Sequence, residues 1–195
     1  KDIFLGFKAY SESDVDIFKG REQDSEYLYS LVANKDYVLC YAESGEGKSS
    51  LIEAGLVPRL KANRYFPVRI SFTDEEYNNT QIDFDKVIKD RILDAVKNQQ
   101  MSVRQQPLSF ISKTDSVLND KFSDDLWWFL RHNELSLYGI SFPIVLIFDQ
   151  FEEVMNYPKS ESWTSRFFAF LEKISTDNCP QYILDEMTKC DEIPD

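Results

Sequence analysis

The stretch Ala42-Glu43-Ser44-Gly45-Glu46-Gly47-Lys48-Ser49 has the spacing of a phosphate-binding loop at every position except the first, where Ala42 stands in place of glycine. The chemistry explains the spacing. Glycines let consecutive backbone N–H groups turn inward around phosphate oxygens, and the helix that follows adds the positive end of its dipole. Lys48 is placed to reach a β- or γ-phosphate, and the Ser49 hydroxyl to ligate Mg²⁺, with Ser50 closing the phosphate-contacting stretch. Ala42 is tolerable provided its φ is negative. Glu43 and Glu46 must point outward, because turned inward they would repel a polyphosphate.

A phosphate loop of this kind needs a carboxylate at the end of a neighbouring strand to hold the metal through water. Asp149, directly after the β-branched run Ile144-Val145-Leu146-Ile147-Phe148, supplies it. Just beyond, Glu152 or Glu153 could orient or deprotonate an attacking water, with a slight preference for Glu153. Each also has a plainer reading, Asp149 as a strand-end turn residue and the glutamates as an acidic helix start. Other chemistries have little material. With one histidine in the chain, Ser-His-Asp or Cys-His catalysis would have to run through His132, which reads as a surface or packing residue. Three cysteines without a C-x-x-C pair argue against structural zinc and for a reducing, cytoplasmic setting.

The elements that must position these groups follow from periodicity. Arg21–Ala33 reads as a helix, Tyr37–Tyr41 as a short buried strand containing Cys40, and Lys48–Leu56 as a helix that Pro58 ends or kinks. Val68–Phe72 reads as a strand, 74–80 as a polar loop, and Phe84, Val87, Ile88, Ile92 and Val96 as one face of a helix. Residues 98–121 have the composition of a flexible insertion. Asp124 and Asp125 introduce a helix through Leu130, and Trp163, Phe167, Phe170, Leu171 and Ile174 mark another, while 176–195 gives a weak signal. The three tryptophans read as core aromatics, and the acids at 74–76 and 83–85 as a solvated face. Strands alternating with helices predict an α/β fold, a three-layer α/β/α sandwich about a mainly parallel sheet. In it, Val38–Cys40 and Ile144–Phe148 are interior strands ending at one edge.

Composition bounds the function. The chain has 195 residues, 34 acids against 22 bases and a net charge of -12. That argues against nucleic-acid or anionic-membrane binding, both of which need clustered Lys and Arg. No apolar run is long enough to span a membrane, and no signal-peptide h-region is seen. A small-molecule kinase would need an Arg-rich lid and an acceptor pocket, and a GTPase an N-K-x-D motif that is missing here. A degenerate nucleotide site serving as an interaction module stays open.

Three stretches together resemble the bacterial novel STAND class of signal-transduction NTPases. Tyr10–Glu22 is similar to the entry segment ending in F-x-G-R-E; Gly45–Pro58 to the phosphate loop with its A-G-L-x-P continuation; Ile147–Val154 to the D-Q-F-E-E form of the Walker B strand. The resemblance implies a P-loop NTPase domain over 1–195 with an entry segment at 1–20. It implies ATP or ADP and Mg²⁺ as ligands, and a slowly hydrolysing switch in a multidomain cytoplasmic protein. It further implies a C-terminal sensor, a possible effector domain and homo-oligomerisation on activation. Phe18, Gly20 and Arg21 would lie near the adenine. Relatives of this class continue into a sensor strand and lids, so the chain is expected to be an incomplete NTPase domain.

Overall fold

Local chemistry sets most element boundaries in the computed structural model, in which residues 9–43, 45–102, 108–113, 116–149 and 160–191 are described. A short 3₁₀ turn at Glu12–Asp14 precedes α1 (Glu22–Asn34). Next, α2 (Lys48–Ser50) runs without a break through a π turn (Leu51–Leu56) into α3 (Val57–Ala62). Then come β1 (Phe66–Ile70), α4 (Asp74–Asn78), α5 (Phe84–Ser102), β2 (Ser109–Ser112) and α6 (Ser116–Lys121). The order closes with α7 (Leu126–His132), β3 (Asn133–Leu137), β4 (Ile140–Ser141), β5 (Ile144–Phe148), α8 (Ser160–Ser175) and α9 (Gln181–Asp191). The chain forms two compact units, Lys1–Arg69 with Phe142–Asp149, and Ile70–Ser141 with Gln150–Asp195.

In the first unit β1 pairs with β5. The Phe66 N–H donates to Pro143 O at the start of both strands, and Arg69 pairs with Asp149 at the end of both. The strands therefore run parallel. Their helical cover is a core of Leu28, Leu51, Leu56 and Leu60, against which Phe18, Val38, Val145 and Ile147 also pack. Pro58 does not end the helix, which runs on to Ala62. Having no N–H, it needs no intrahelical acceptor, and the π turn just before it closes with the Val57 N–H on Ile52 O.

Two expectations for this unit need correction. Residues 37–43 form no strand, and Tyr37, Leu39 and Tyr41 are largely exposed. Cys40 is exposed as well, not a buried hydrophobe. An apolar run is a strand only where a partner offers ladder hydrogen bonds. Nor is β5 deeply interior: all five of its residues are half-buried.

The second unit is built on aromatics. Phe84, Ile88, Ile92 and Val96 bury the predicted face of α5. Trp163 and Phe167 of α8 are buried, and Phe72 lies edge-on to both. Trp127 and Trp128 pack with Phe122 and Ile183, so all three tryptophans are core residues as expected. His132 stacks on Trp128 with ring centroids 3.7 Å apart, a packing role.

Here β2, β3 and β4 make an antiparallel sheet, Phe110 opposite Leu135 and Leu137 opposite Ile140. A mainly parallel sheet is thus not what the described strands form. Within 98–121, read as a flexible insertion, the described residues hold the end of α5, β2 and α6; the pairing of β2 with β3 is non-local and leaves no mark in local composition. Two of the acids read as solvated are structural. Glu76 closes a capping box with Thr73 and pairs with Arg91, and Asp85 accepts from the Leu126 N–H and from Lys173.

Candidate functional site

Every described residue of the expected site lies in the first unit. Gly45 and Gly47 have φ of +88° and +79°, in the left-handed region where a Cβ is strained, so these two positions call for glycine. Gly47 is the N-cap of α2, which puts the first helical N–H groups at the loop. Ala42 does not have a positive φ, and so meets the condition for replacing glycine. Glu43 and Glu46 are exposed, as the charge argument requires. Ser44 lies outside the described residues.

Lys48 Nζ bends back over the loop and donates to Ala42 O at 2.7 Å and Glu43 O at 3.1 Å. A phosphate oxygen arriving there would exchange two neutral acceptors for a charged one, a stronger partner for an ammonium. Ser49 is half-buried beside it in the first turn of α2. Ser50 is buried, and its Oγ accepts from the Tyr10 N–H at 3.0 Å. That bond turns Ser50 toward the entry segment. The tyrosine ring in turn lies 5.4 Å from Phe18, and Lys61 pairs with Glu12.

Arg21 brings a second cation to the loop. Its guanidinium pairs with Asp24 and reaches Glu46 O at 3.5 Å, and its Nη1 lies 3.9 Å from where a Cβ on Gly47 would stand. Gly20, with φ +86°, donates its N–H to Glu22 Oε2 at 2.9 Å. The Glu22 carboxyl is held below its ordinary pKa by its own N–H and by that of Gly20. The entry segment and the loop thus meet.

Asp149 is tied to this assembly through a residue that sequence reasoning missed. Arg69, near the end of β1, pairs with Asp149 and with Glu53 Oε1, the latter at 2.8 Å. Glu53 lies in the π turn that continues α2, so one guanidinium joins the phosphate-loop helix to the end of β5. Burial works against the Arg69 charge, yet its two carboxylates hold its pKa above the ordinary value. The only local hint was an arginine inside an apolar strand run, at the exposed position between buried Val68 and Ile70. Glu152 and Glu153 lie outside the described residues.

The donor set suits a hard cation held mainly by phosphate and water. Among the described residues no group of three or more His, Cys, Asp or Glu could hold a metal by itself. One hydroxyl and one carboxylate are what Mg²⁺ takes when a nucleotide supplies the rest. Also among the described residues, no helix is long and apolar enough to cross a membrane.

The family model described as Novel STAND NTPase 1 matches residues 4–187. No curated protein and no solved structure compared with the chain matches it.

Proposed function

Because the chain belongs to the Novel STAND NTPase 1 family, we propose that it is the ATP-binding core of a regulatory switch, with ATP and Mg²⁺ bound at the loop 42–50. The observation that carries the reading is the loop itself: left-handed Gly45 and Gly47 at the start of α2, with Lys48 poised over it. In this reading the loop N–H groups and Lys48 bind the β- and γ-phosphates, and Arg21 lies on the nucleotide side of the entry segment with Phe18 and Gly20. Ser49 ligates Mg²⁺, and Asp149 holds it through water. The metal would neutralise phosphate charge.

Glu153, or else Glu152, orients the attacking water, and turnover is slow, so that the γ-phosphate mainly holds one conformational state against another. The fold of this reading is a P-loop sandwich, supported by the parallel β1–β5 pair beside the loop helix. Its setting is a cytoplasmic multidomain protein with a sensor C-terminal to this region, an effector, and self-association on activation.

Two substitutions test the site. Lys48→Ala removes the cation over the loop and weakens ATP binding with or without metal. Asp149→Ala removes the metal-side carboxylate, so it reduces the benefit of Mg²⁺ while metal-free ATP still binds. A Lys48→Ala chain that folds and binds ATP like the unmodified chain contradicts the assignment.

A further inference from the structure

Arg69 carries a consequence for how metal arrives at the site. Its fork serves two carboxylates that are both poorly hydrated, with side-chain exposures of 16% for Asp149 and 24% for Glu53. Each needs a cation, because a desolvated carboxylate without one is costly. Arg69 itself is 49% exposed, so its head can swing into water while its backbone stays in β1. If Asp149 holds a hydrated Mg²⁺, the carboxylate then faces a dication on one side and a guanidinium on the other. Like charges at such range repel strongly, and the two compete for the same oxygens.

We propose that Arg69 is a positioning residue that occupies Asp149 until Mg²⁺-nucleotide displaces it onto Glu53 alone. This rests on the reading of Asp149 as the metal-side carboxylate. It makes the Glu53–Arg69–Asp149 relay a metal-responsive joint between the π turn and the end of β5. While metal is absent, the guanidinium keeps Asp149 neutralised and oriented. When metal binds, the cation needed by Asp149 is supplied by the metal, and Arg69 keeps only its bond to Glu53. Two elements cross-linked by one side chain then become separately held. Nothing else in the proposed site requires an arginine here, since Lys48 and Arg21 already face the loop.

The test is the Mg²⁺ concentration that gives half of the metal-dependent gain in ATP affinity, measured calorimetrically on the full chain. Removing an exposed competing cation in Arg69→Gln lowers that midpoint by roughly two- to fivefold, the scale of a partly screened charge pair. Glu53→Gln leaves Arg69 to Asp149 alone and raises it. Affinity for ATP in excess chelator changes by no more than about threefold in Arg69→Gln, because the residue acts through Asp149 rather than on phosphate. In the Asp149→Ala background, Arg69→Gln has no effect on the Mg²⁺ response. Should Arg69→Gln not fold, Arg69→Lys, which reaches only one carboxylate at a time, gives a smaller fall in the same direction. A midpoint unchanged or raised in the folded Arg69 variant overturns the proposal. So does a tenfold loss of metal-free ATP binding, which would make Arg69 a phosphate ligand. An unmodified chain that binds no Mg²⁺-ATP refutes the underlying reading, and the relay with it. Binding by the unmodified chain with a wrong-way midpoint refutes the relay alone.

Discussion

Gly55→Ala should destabilise the first unit although alanine is the better helix former. Gly55 lies in the π turn, where α1 crosses close above it. A Cβ built there falls 2.4 Å from Ser25 Oγ, 3.1 Å from Ser25 Cβ and 3.3 Å from Leu51 Cδ1. Ser25 is buried, and its hydroxyl donates to Arg21 O at 2.7 Å, so it cannot rotate away without losing that bond. Overpacking at a buried crossing costs about 1–3 kcal/mol. A broken hydrogen bond adds about 1 kcal/mol. Alanine returns about 1 kcal/mol of helix propensity.

The balance is a net loss of about 1–3 kcal/mol, the collision outweighing the propensity. In urea, with a slope of about 2 kcal/mol per molar, the midpoint should fall by about 0.5–1.5 M. Ser25→Ala removes the 2.4 Å contact but leaves the Cβ contact at 3.1 Å, so Gly55→Ala should cost less in that background without becoming neutral. A Gly55→Ala chain as stable as the unmodified one would refute the reasoning. An equal cost in both backgrounds would show that Ser25 is not the obstacle.

Asp125→Ala removes the N-cap of α7 and an acceptor shared by Lys173 and Tyr182, so thermal melting should show a loss of about 2–4 kcal/mol, beyond a simple cap deletion. Glu22 has a folded pKa below its ordinary value, so its contribution to stability is present above the unfolded carboxylate range and is lost as pH falls through the folded pKa. Glu22→Gln should therefore flatten the acid limb of the stability–pH profile. Of Glu152→Gln and Glu153→Gln, the variant that removes the water-orienting group should lose ATP turnover while retaining bound ATP. Normal hydrolysis by both, measured on the full-length protein, would contradict a hydrolytic role for either.

Short-range physics made much of this legible. The loop declared itself because glycine spacing, Lys48 and Ser49 all answer one chemical demand, and the face of α5 because Phe84, Ile88, Ile92 and Val96 repeat at helical period. The start of α7 was readable from the two acids Asp124 and Asp125 before an aromatic run, and the structure makes Asp125 its N-cap. What escaped depends on partners far along the chain. Ser109–Ser112 is a strand because 133–136 lies beside it, and Tyr37–Tyr41 has strand composition with no ladder in the described residues. Arg69 finds its role 16 residues from Glu53 and 80 from Asp149, separations that no local window spans. Gly55 matched a family pattern by sequence, but only the crossing of α1 gives the reason for a glycine there.

Equilibrium titration of the full chain with ATP, in the presence and absence of Mg²⁺ and against GTP, tests the central claim most directly. The account predicts saturable ATP binding that tightens with Mg²⁺, exceeds that of GTP and is weakened by Lys48→Ala. A folded chain that shows no heat and no saturation at millimolar ATP with Mg²⁺ would contradict it.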